Sequence, residues 1–464
     1  MSKTNTKENF KFPHALVIIF SIIVALALLS YIIPAGQFER TVDEDTGMTI
    51  VDPTTFTYVE GNRASLFDIF LAVQKGFVNG SSIIFLIYFA CYAVNVIVET
   101  GSMHAAIGSL LRFSKGRENL VIPMFVLIFS FAGSTYGEWD TVYGLIPIFV
   151  GVSIALGYDA IVGLGISGMS VAVGFASATT NPFTVAIAQG IAELPINSGL
   201  WYRIICYIVF VSITIAYLMN YAAKIKKDPS KSIVSDIDYS DYKLSDEALE
   251  KPFSGKEKLT MLILFGGIGG IVFGTLKWGW FLDEISAAFL LMGVIVSILW
   301  KIPPSEMAKD LIKSTKMVLV AGFVVGMSRG VLIMLQDSLI LDTIIYSMYQ
   351  PLSKMPKWLA AEGMLVLQTI INFFIPSGSG QAAATMPIMT PLADSLGISR
   401  QLTVLIFQFG DGFSNILWPT GSVFVMSSLA GIPVDRWYKF FLKFFALLFV
   451  IQSIFIYIGL IINY

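Results

Sequence analysis

The chain has 464 residues, 55% of them hydrophobic and 13% charged, with a formal net charge of −2 and a mean hydropathy of +0.75. Soluble domains carry about 25% charged residues, so this composition excludes a soluble globular fold. Its recurring stretches of about 20 nearly uncharged residues are long enough to cross roughly 30 Å of hydrocarbon as helices.

In chain order, the apolar run from Ala15 to Ile33 is longer than a signal hydrophobic region, has no convincing small-residue cleavage site and reads as the first span. Further spans are expected at 80–98, 159–193, 201–223, 259–276, 282–300, 317–335, 400–431 and 440–463, which makes nine crossings. The segments 119–157 and 357–398 are each two arms of 14–17 residues. They flank the Gly/Ser-rich breaks Gly133-Ser134-Thr135-Tyr136-Gly137 and Pro376-Ser377-Gly378-Ser379-Gly380. Such arms are too short to cross, so both segments are expected as re-entrant hairpins. Amphipathic stretches at 65–78, 102–113, 303–315 and 337–352 suit the interfaces. Cys91 and Cys206 lie inside apolar stretches and read as core packing, with neither a disulfide framework nor a metal site implied.

Basic residues in short loops set the orientation. Lys3, Lys7, Lys11, Arg112, Lys115, Arg117, Lys224, Lys226 and Lys227 mark the cytoplasmic side, while Asp43, Glu44 and Asp45 suit the outside. With nine crossings, the amino terminus lies in the cytoplasm and the carboxyl terminus outside the cytoplasmic membrane. The Ser-, Asp- and Lys-rich stretch 224–258 reads as a solvated cytoplasmic linker.

An internal repeat organises the chain. Phe131 to Gly137 aligns with Phe374 to Gly380 at an offset of 243 residues. Pro147 aligns with Pro387 and Gly157 with Gly397 at 240, Gly174-Phe175 with Gly412-Phe413 at 238, Pro182 with Pro419 at 237, and Trp201-Tyr202 with Trp437-Tyr438 at 236. The steady drift in one direction is what a few short deletions make. The first repeat is then 1–223 and the second 282–464, and the connecting span in 259–281 inverts the second relative to the first. Transporters use inverted repeats with broken helices to bind substrate near the midplane and alternate its access. The expected fold class is therefore an all-α polytopic membrane protein with nine transmembrane helices and two re-entrant hairpins in inverted-topology repeats.

Chemistry is expected where helices break, because unwound backbone inside a membrane lines a cavity or is buried by protein. The candidate substrate-binding residues are Ser134, Thr135, Gly137, Glu138 and Asp140 in the first hairpin, and Thr180 and Asn181 before Pro182 in the first broken span. The second hairpin adds Ser377, Gly378, Ser379 and Gln381, and the second broken span adds Asp411, Asn415 and Thr420. Freed N–H groups at half-helix starts can hold a carboxylate, and freed carbonyls, hydroxyls and amide oxygens can hold a cation. Sodium sites are expected near Gly133, Ser177, Asn181, Gly378, Ser414 and Asn415. Glu138, Asp140 and Asp411 are costly in lipid and so read as functional, whereas Glu99, Asp337, His14 and His104 sit at span ends or interfaces and need only hydration. Arg329, the one clear mid-span cation, can bind a carboxylate or pair with an acid.

The breaks contain acids and neither Lys nor Arg, which favours a substrate amine, a coupled cation, or both. An amino acid is the expected substrate, with a small carboxylate as the alternative and a channel as a remote one. The chain contains no G-x-x-x-x-G-K-[ST] phosphate loop for a primary pump, and no His/Cys metal cluster or nucleophile–base motif for an enzyme. No organic cofactor and no nucleic-acid partner are expected. The partners are a small-molecule substrate, the bilayer, and a coupling Na⁺ or H⁺.

Gly410-Asp411-Gly412-Phe413-Ser414-Asn415 with Pro419-Thr420, Tyr136-Gly137, Thr180-Asn181-Pro182-Phe183, Pro13-His14 and Tyr31 to Phe38 together resemble the anaerobic four-carbon-dicarboxylate carrier family of the ion transporter superfamily, in its YfcC-like branch. The likeness covers nearly the whole chain, and the second-half element is also similar to that of p-aminobenzoyl-glutamate transporters. The resemblance implies an elevator mechanism, with hairpins and broken spans in a moving transport domain and the other spans in a scaffold that dimerises. It also implies amino acid or carboxylate substrates, including basic amino acids. Basic amino acid exchangers of the branch carry two adjacent glutamates after the hairpin glycine, where this chain departs with Gly137-Glu138-Trp139-Asp140-Thr141.

Overall fold

The computed structural model describes residues 13–42, 49–52, 54–61, 63–113, 120–240 and 253–464. Lys3, Lys7, Lys11, Asp43, Glu44, Asp45, Lys115, Arg117, the side chain of Arg112 and linker residues 241–252 lie outside the described residues.

The first half is built from α1 (Ala15–Leu29), α2 (Leu66–Asn79), α3 (Ser81–Glu99), α4 (Ser102–Phe113), the hairpin arms α5 (Val121–Thr135) and α6 (Val142–Ala155), and α7 (Ala160–Leu164). A π-helical turn, Gly165–Met169, then leads into α8 (Ser170–Ala176), α9 (Val185–Ile191) and α10 (Leu200–Lys227). After α11 (Gly255–Trp278) come α12 (Leu282–Leu299), α13 (Pro304–Met317), α14 (Leu319–Asp337) and α15 (Leu341–Tyr349). The arms α16 (Lys357–Phe374) and α17 (Gly378–Ser395) follow, then α18 (Arg400–Ser414), α19 (Val423–Leu429) and α20 (Val434–Ile461). Helix lengths recur in order: α2 and α13 have 14 residues each, α3 and α14 have 19, α9 and α19 have 7, and α10 and α20 have 28.

Capping side chains explain several starts. Ser65 and Asp68 form a reciprocal capping box at α2, Asp159 Oδ1 accepts from Val162 N at α7, Ser377 caps α17, and Ser399 caps α18.

Six helices among the described residues are long and apolar enough to cross a bilayer: Ser81–Glu99, Leu200–Lys227, Gly255–Thr275, Leu282–Leu299, Leu319–Asp337 and Val434–Ile461. The other three expected crossings differ from that pattern. α1 is a 15-residue helix, and 159–193 and 400–431 are interrupted. Large apolar side chains such as Ile208, Leu262, Phe265, Ile454 and Tyr457 are exposed on the long helices, as lipid contact requires.

The helices pack in two groups. In the first, α2–α3 runs antiparallel to α13–α14. Gly76 lies against the backbone of Gly326 and Gly330, Tyr88 Oη against Gly322, Cys91 against Ser314 and Glu99 against Lys313. α1, α4, α11 and α12 also pack in this group. In the second, α5 packs on α8, α16 on α18, and α10 and α20 on the broken spans. Small residues allow the closest approaches: a Cβ on Gly174 would fall 2.0 Å from Ser130 O, one on Gly410 would fall 2.4 Å from Gln368 Cβ, and one on Gly412 would fall 2.3 Å from Ala176 Cα. Cys91 and Cys206 are buried free thiols.

Four details depart from the sequence reading. The first hairpin breaks at Tyr136–Thr141 rather than at 133–137, because α5 continues through Thr135 with Gly133 packed on α8. The second hairpin has 18-residue arms and a break of only Ile375–Ser377, because Ser377 caps α17 at once. Gly410 to Phe413 are helical, their glycines filled by neighbouring helices, so the second broken span opens at Asn415. Linker residues 228–240 are docked rather than solvated. Ser232 and Tyr221 both donate to Asp159 Oδ2 at 2.6 Å, Arg436 pairs with Asp236 at 2.6 Å, and Val234 and Tyr239 are buried.

The loop after α1 also holds two small antiparallel pairs, β1 (Gly36–Gln37) with β4 (Thr57–Tyr58) and β2 (Arg40–Val42) with β3 (Thr49–Val51). The loop is tied to α15 by Arg40–Asp342 at 2.8 Å and by the stacked pair Phe56–Tyr346.

Candidate functional site

A cavity of about 200 Å³ opens between the two groups where the hairpin tips meet α12 and α14. From the first hairpin it receives Gly137, Glu138 and Asp140, from the second Ser377, Gly378 and Ser379, and from the second broken span Asn415. Gly137 adopts φ +76°, a left-handed turn that only glycine makes without strain, and a Cβ there would fall 2.6 Å from Asn181 Oδ1. The turn projects both acids into the cavity. Glu138 Oε1 accepts from Thr141 N at 2.9 Å, and Asp140 interacts electrostatically with Arg329 of α14. Trp139, Tyr143 and Ser422 form a hydrogen-bonded triad on the wall, with Trp139 Nε1 donating to Ser422 Oγ at 2.8 Å and Tyr143 Oη 2.8 Å from the same hydroxyl. It joins the first hairpin to the second broken span.

Other expected residues lie behind the cavity, where they close breaks. Ser134 Oγ donates to Ser177 O at 3.3 Å and lies 3.0 Å from Thr179 Oγ1. The Thr135 hydroxyl bonds Phe131 O, and the Thr135 carbonyl receives Thr180 Oγ1 at 3.0 Å. In the other half Thr420 donates to Phe373 O at 2.6 Å, which joins the second broken span to the second hairpin. Ser177 and Ser414 bond carbonyls of their own helices, and Gly133 is pressed against Val171 and Phe175. Asn181 Oδ1 accepts from Phe183 N at 2.8 Å, while its buried Nδ2 has no partner among the described residues. Gln381 is fully buried and donates to Gln368 at 2.6 Å, away from the cavity.

Asp411 is fully buried on α18. Its Oδ1 accepts from Asn372 Nδ2 at 3.0 Å, and its Oδ2 has no hydrogen-bond partner among the described residues and lies near the start of α17, where a Cβ on Gly378 would lie 3.1 Å away. Asn372 also donates to Asn415 Oδ1 at 3.1 Å.

The sequence reading missed Gln368 and Asn372, which carried a signal: two amides one helical turn apart in the inner, mostly apolar part of the arm. It also missed Trp139, Tyr143 and Ser422, whose meeting is purely tertiary, and Arg203. That buried guanidinium donates to the freed carbonyl of Thr179 at 3.1 Å and to Ser198 O at 2.8 Å. In the second half, Tyr438 bonds Leu417 O at 2.7 Å.

A family model described as C4-dicarboxylate anaerobic carrier, DcuC, matches residues 12–461. The chain belongs to that family. It is 30% identical over 98% of its length, and 97% of the relative's, to the protein of Escherichia coli (strain K12) named "Putative basic amino acid antiporter YfcC". A further relative from Haemophilus influenzae, with no assigned activity in its name, is 29% identical over 98% of both chains. Two solved structures of transport proteins are matched at low similarity. They are YdaH of Alcanivorax borkumensis (TM-score 0.45, 15% identity, 97% of this chain and 99% of that one) and MtrF of Neisseria gonorrhoeae, from a class described as antimetabolite efflux pumps (TM-score 0.44, 14% identity, 97% and 95%). This member of the carrier family is a multi-pass membrane transporter.

Proposed function

We propose that this carrier moves an amino acid, with a basic one favoured, across the cytoplasmic membrane by secondary active transport. The observation that carries the reading is the placement of Glu138 and Asp140 in one cavity between the helix groups, where two carboxylates attract substrate amines. The printed name of the Escherichia coli relative points to the same substrate class.

The paired helix lengths and the antiparallel packing of α2–α3 on α13–α14 support inverted repeats. In this reading the hairpins, broken spans, α10 and α20 move as a transport domain against a scaffold of α1–α3 and α11–α14, by an elevator motion within a homodimer. The amino terminus is cytoplasmic and the carboxyl terminus outside. A coupling cation, Na⁺ or H⁺, is taken up at Asp411, whose Oδ2 is buried beside the second hairpin without a partner among the described residues.

A second reading, a carrier of small dicarboxylates, is favoured by the family's description and by the start of α17 at Gly378, which opens N–H groups onto the cavity. Thermal-shift measurements on the purified protein separate the two, since a ligand stabilises according to its occupancy. Amino acids are expected to raise Tm and succinate is not. The reverse result would replace the first reading by the second. Saturable counterflow of labelled substrate in proteoliposomes is expected, and its absence alongside linear flux would make the chain a channel.

A further inference from the structure

Arg329 stands at the middle of α14, in the first helix group, yet its guanidinium lines the cavity with Glu138 and Asp140, which the first hairpin supplies. The position is fixed by packing: Gly330 is pressed against α2 at Gly76, and a Cβ on Gly80 would lie 3.3 Å from Arg329 Cγ. Arg329 interacts electrostatically with Asp140 and Tyr143, but among the described residues nothing accepts a hydrogen bond from it and no carboxylate forms a salt bridge with it. A guanidinium stays charged and offers five N–H donors in a planar fork that suits a carboxylate. Arg329 is part-buried and faces the open cavity, so its fork is accessible to a carboxylate that enters there. With both acids ionised, the charged lining is two carboxylates and one guanidinium.

We propose that Arg329 receives the α-carboxylate of the transported amino acid while its ammonium group lies against Glu138 or Asp140. The inference rests on the amino acid reading above. It adds a specificity residue from the opposite helix group, so that the bound zwitterion bridges the two groups. A side-chain cation would engage the remaining acid, which matches the lining charge for charge.

The test is binding to the full-length protein in lipid nanodiscs by titration calorimetry. The probes are L-arginine and agmatine, L-leucine and isopentylamine, and succinate; the second member of each pair lacks only the carboxylate. The wild type is expected to prefer at least one amino acid over its decarboxylated amine by about 10- to 100-fold, the range for charge-assisted hydrogen bonds. Arg329→Gln should abolish that preference by weakening the amino acid alone, and Arg329→Lys should restore part of it as a point charge without the fork. Equal loss for amino acid and amine, or an unchanged ratio, in a monodisperse Arg329→Gln protein would assign Arg329 to a structural pair with Asp140 and overturn the proposal. Wild-type binding of succinate alone, lost in Arg329→Gln, would keep Arg329 as a carboxylate anchor and overturn the amino acid reading instead. Binding of none of the probes would count against both.

Discussion

Asn372 holds Asp411 with one amide proton at 3.0 Å and turns its other toward Asn415 at 3.1 Å, so a single side chain of the second hairpin ties the buried acid of α18 to the break that follows it. At the aligned place in the first hairpin, α5 carries Phe129, and Val173 stands opposite Asp411. The polar centre therefore has no counterpart at the positions that the sequence alignment of the two halves pairs with it.

Removing that shared donor leaves two buried oxygens without a partner. Asn372→Ala should lower stability by about 1–3 kcal/mol, and Asn372→Asp should lower it further at neutral pH by facing one carboxylate with another. Thermal unfolding in detergent reads both. An unperturbed Tm for the pair would show that Asp411 does not depend on Asn372.

The coupling cation is tested by titration. If Na⁺ binds near the broken spans, Asn181→Ala and Asn415→Ala should each raise the Na⁺ concentration for half-maximal substrate binding and leave maximal binding nearly intact. Asp411→Asn should remove the cation dependence altogether. Transport by the wild type that ignores Na⁺ and follows a pH gradient would reassign coupling to protonation of Asp411 and leave both asparagines as structural caps.

Neutralising the cavity acids probes the amine contact. Glu138→Gln and Asp140→Asn keep shape and remove charge, and each should weaken binding of an amino acid by about 1–3 kcal/mol. Unaltered affinity in both variants would rule out an amine between them.

The broad plan was legible because it rests on local signals. Charge-free stretches mark long helices, and Gly, Ser and Asn-Pro clusters mark the neighbourhood of helix breaks, so the helical character and the rough positions of the interruptions were readable. The limits of each break were not legible. Gly410 and Gly412 resemble breakers in sequence, but Gln368 and Ala176 fill the space beside them and keep α18 helical through Ser414. Residues from one motif also divide by depth. Gly137, Glu138 and Asp140 line the cavity, whereas Ser134, three residues earlier, spends its hydroxyl on Ser177 and Thr179. Depth of that kind depends on which helix packs behind the tip, information that resides some 40 residues away.

Three glycines of left-handed backbone separate conformational cost from crowding. Gly157 and Gly397 have φ +80° and +68° with open space around them, so an Ala there should cost about 1–2 kcal/mol. Gly137→Ala should cost more and also weaken substrate binding, since its Cβ meets Asn181 and Phe183. Comparable Tm values for all three variants, with binding retained, would remove Gly137 from the site's geometry.

Arg203 fastens the first broken span through Thr179 O and Ser198 O. Arg203→Gln should strand at least one buried carbonyl, lower stability by about 1–3 kcal/mol, and shift Tm without altering the relative affinities for amino acids and their decarboxylated amines. A selective change in those affinities would instead place Arg203 in recognition.

The close fit of Gly410 on α16 and Gly412 on α8 grips the helix that carries Asp411 from both sides. If a cation binds at Asp411, this packing disfavours a slide or roll of α18 and favours a response through the groups that touch the carboxylate. Asn372 would then pass it to α16, and Oδ2 would pass it to the first turn of α17, which are the two arms of one hairpin. A spectroscopic label at Ser379 would then report cation binding, while one at a neighbour of Phe409 on α18 would stay silent.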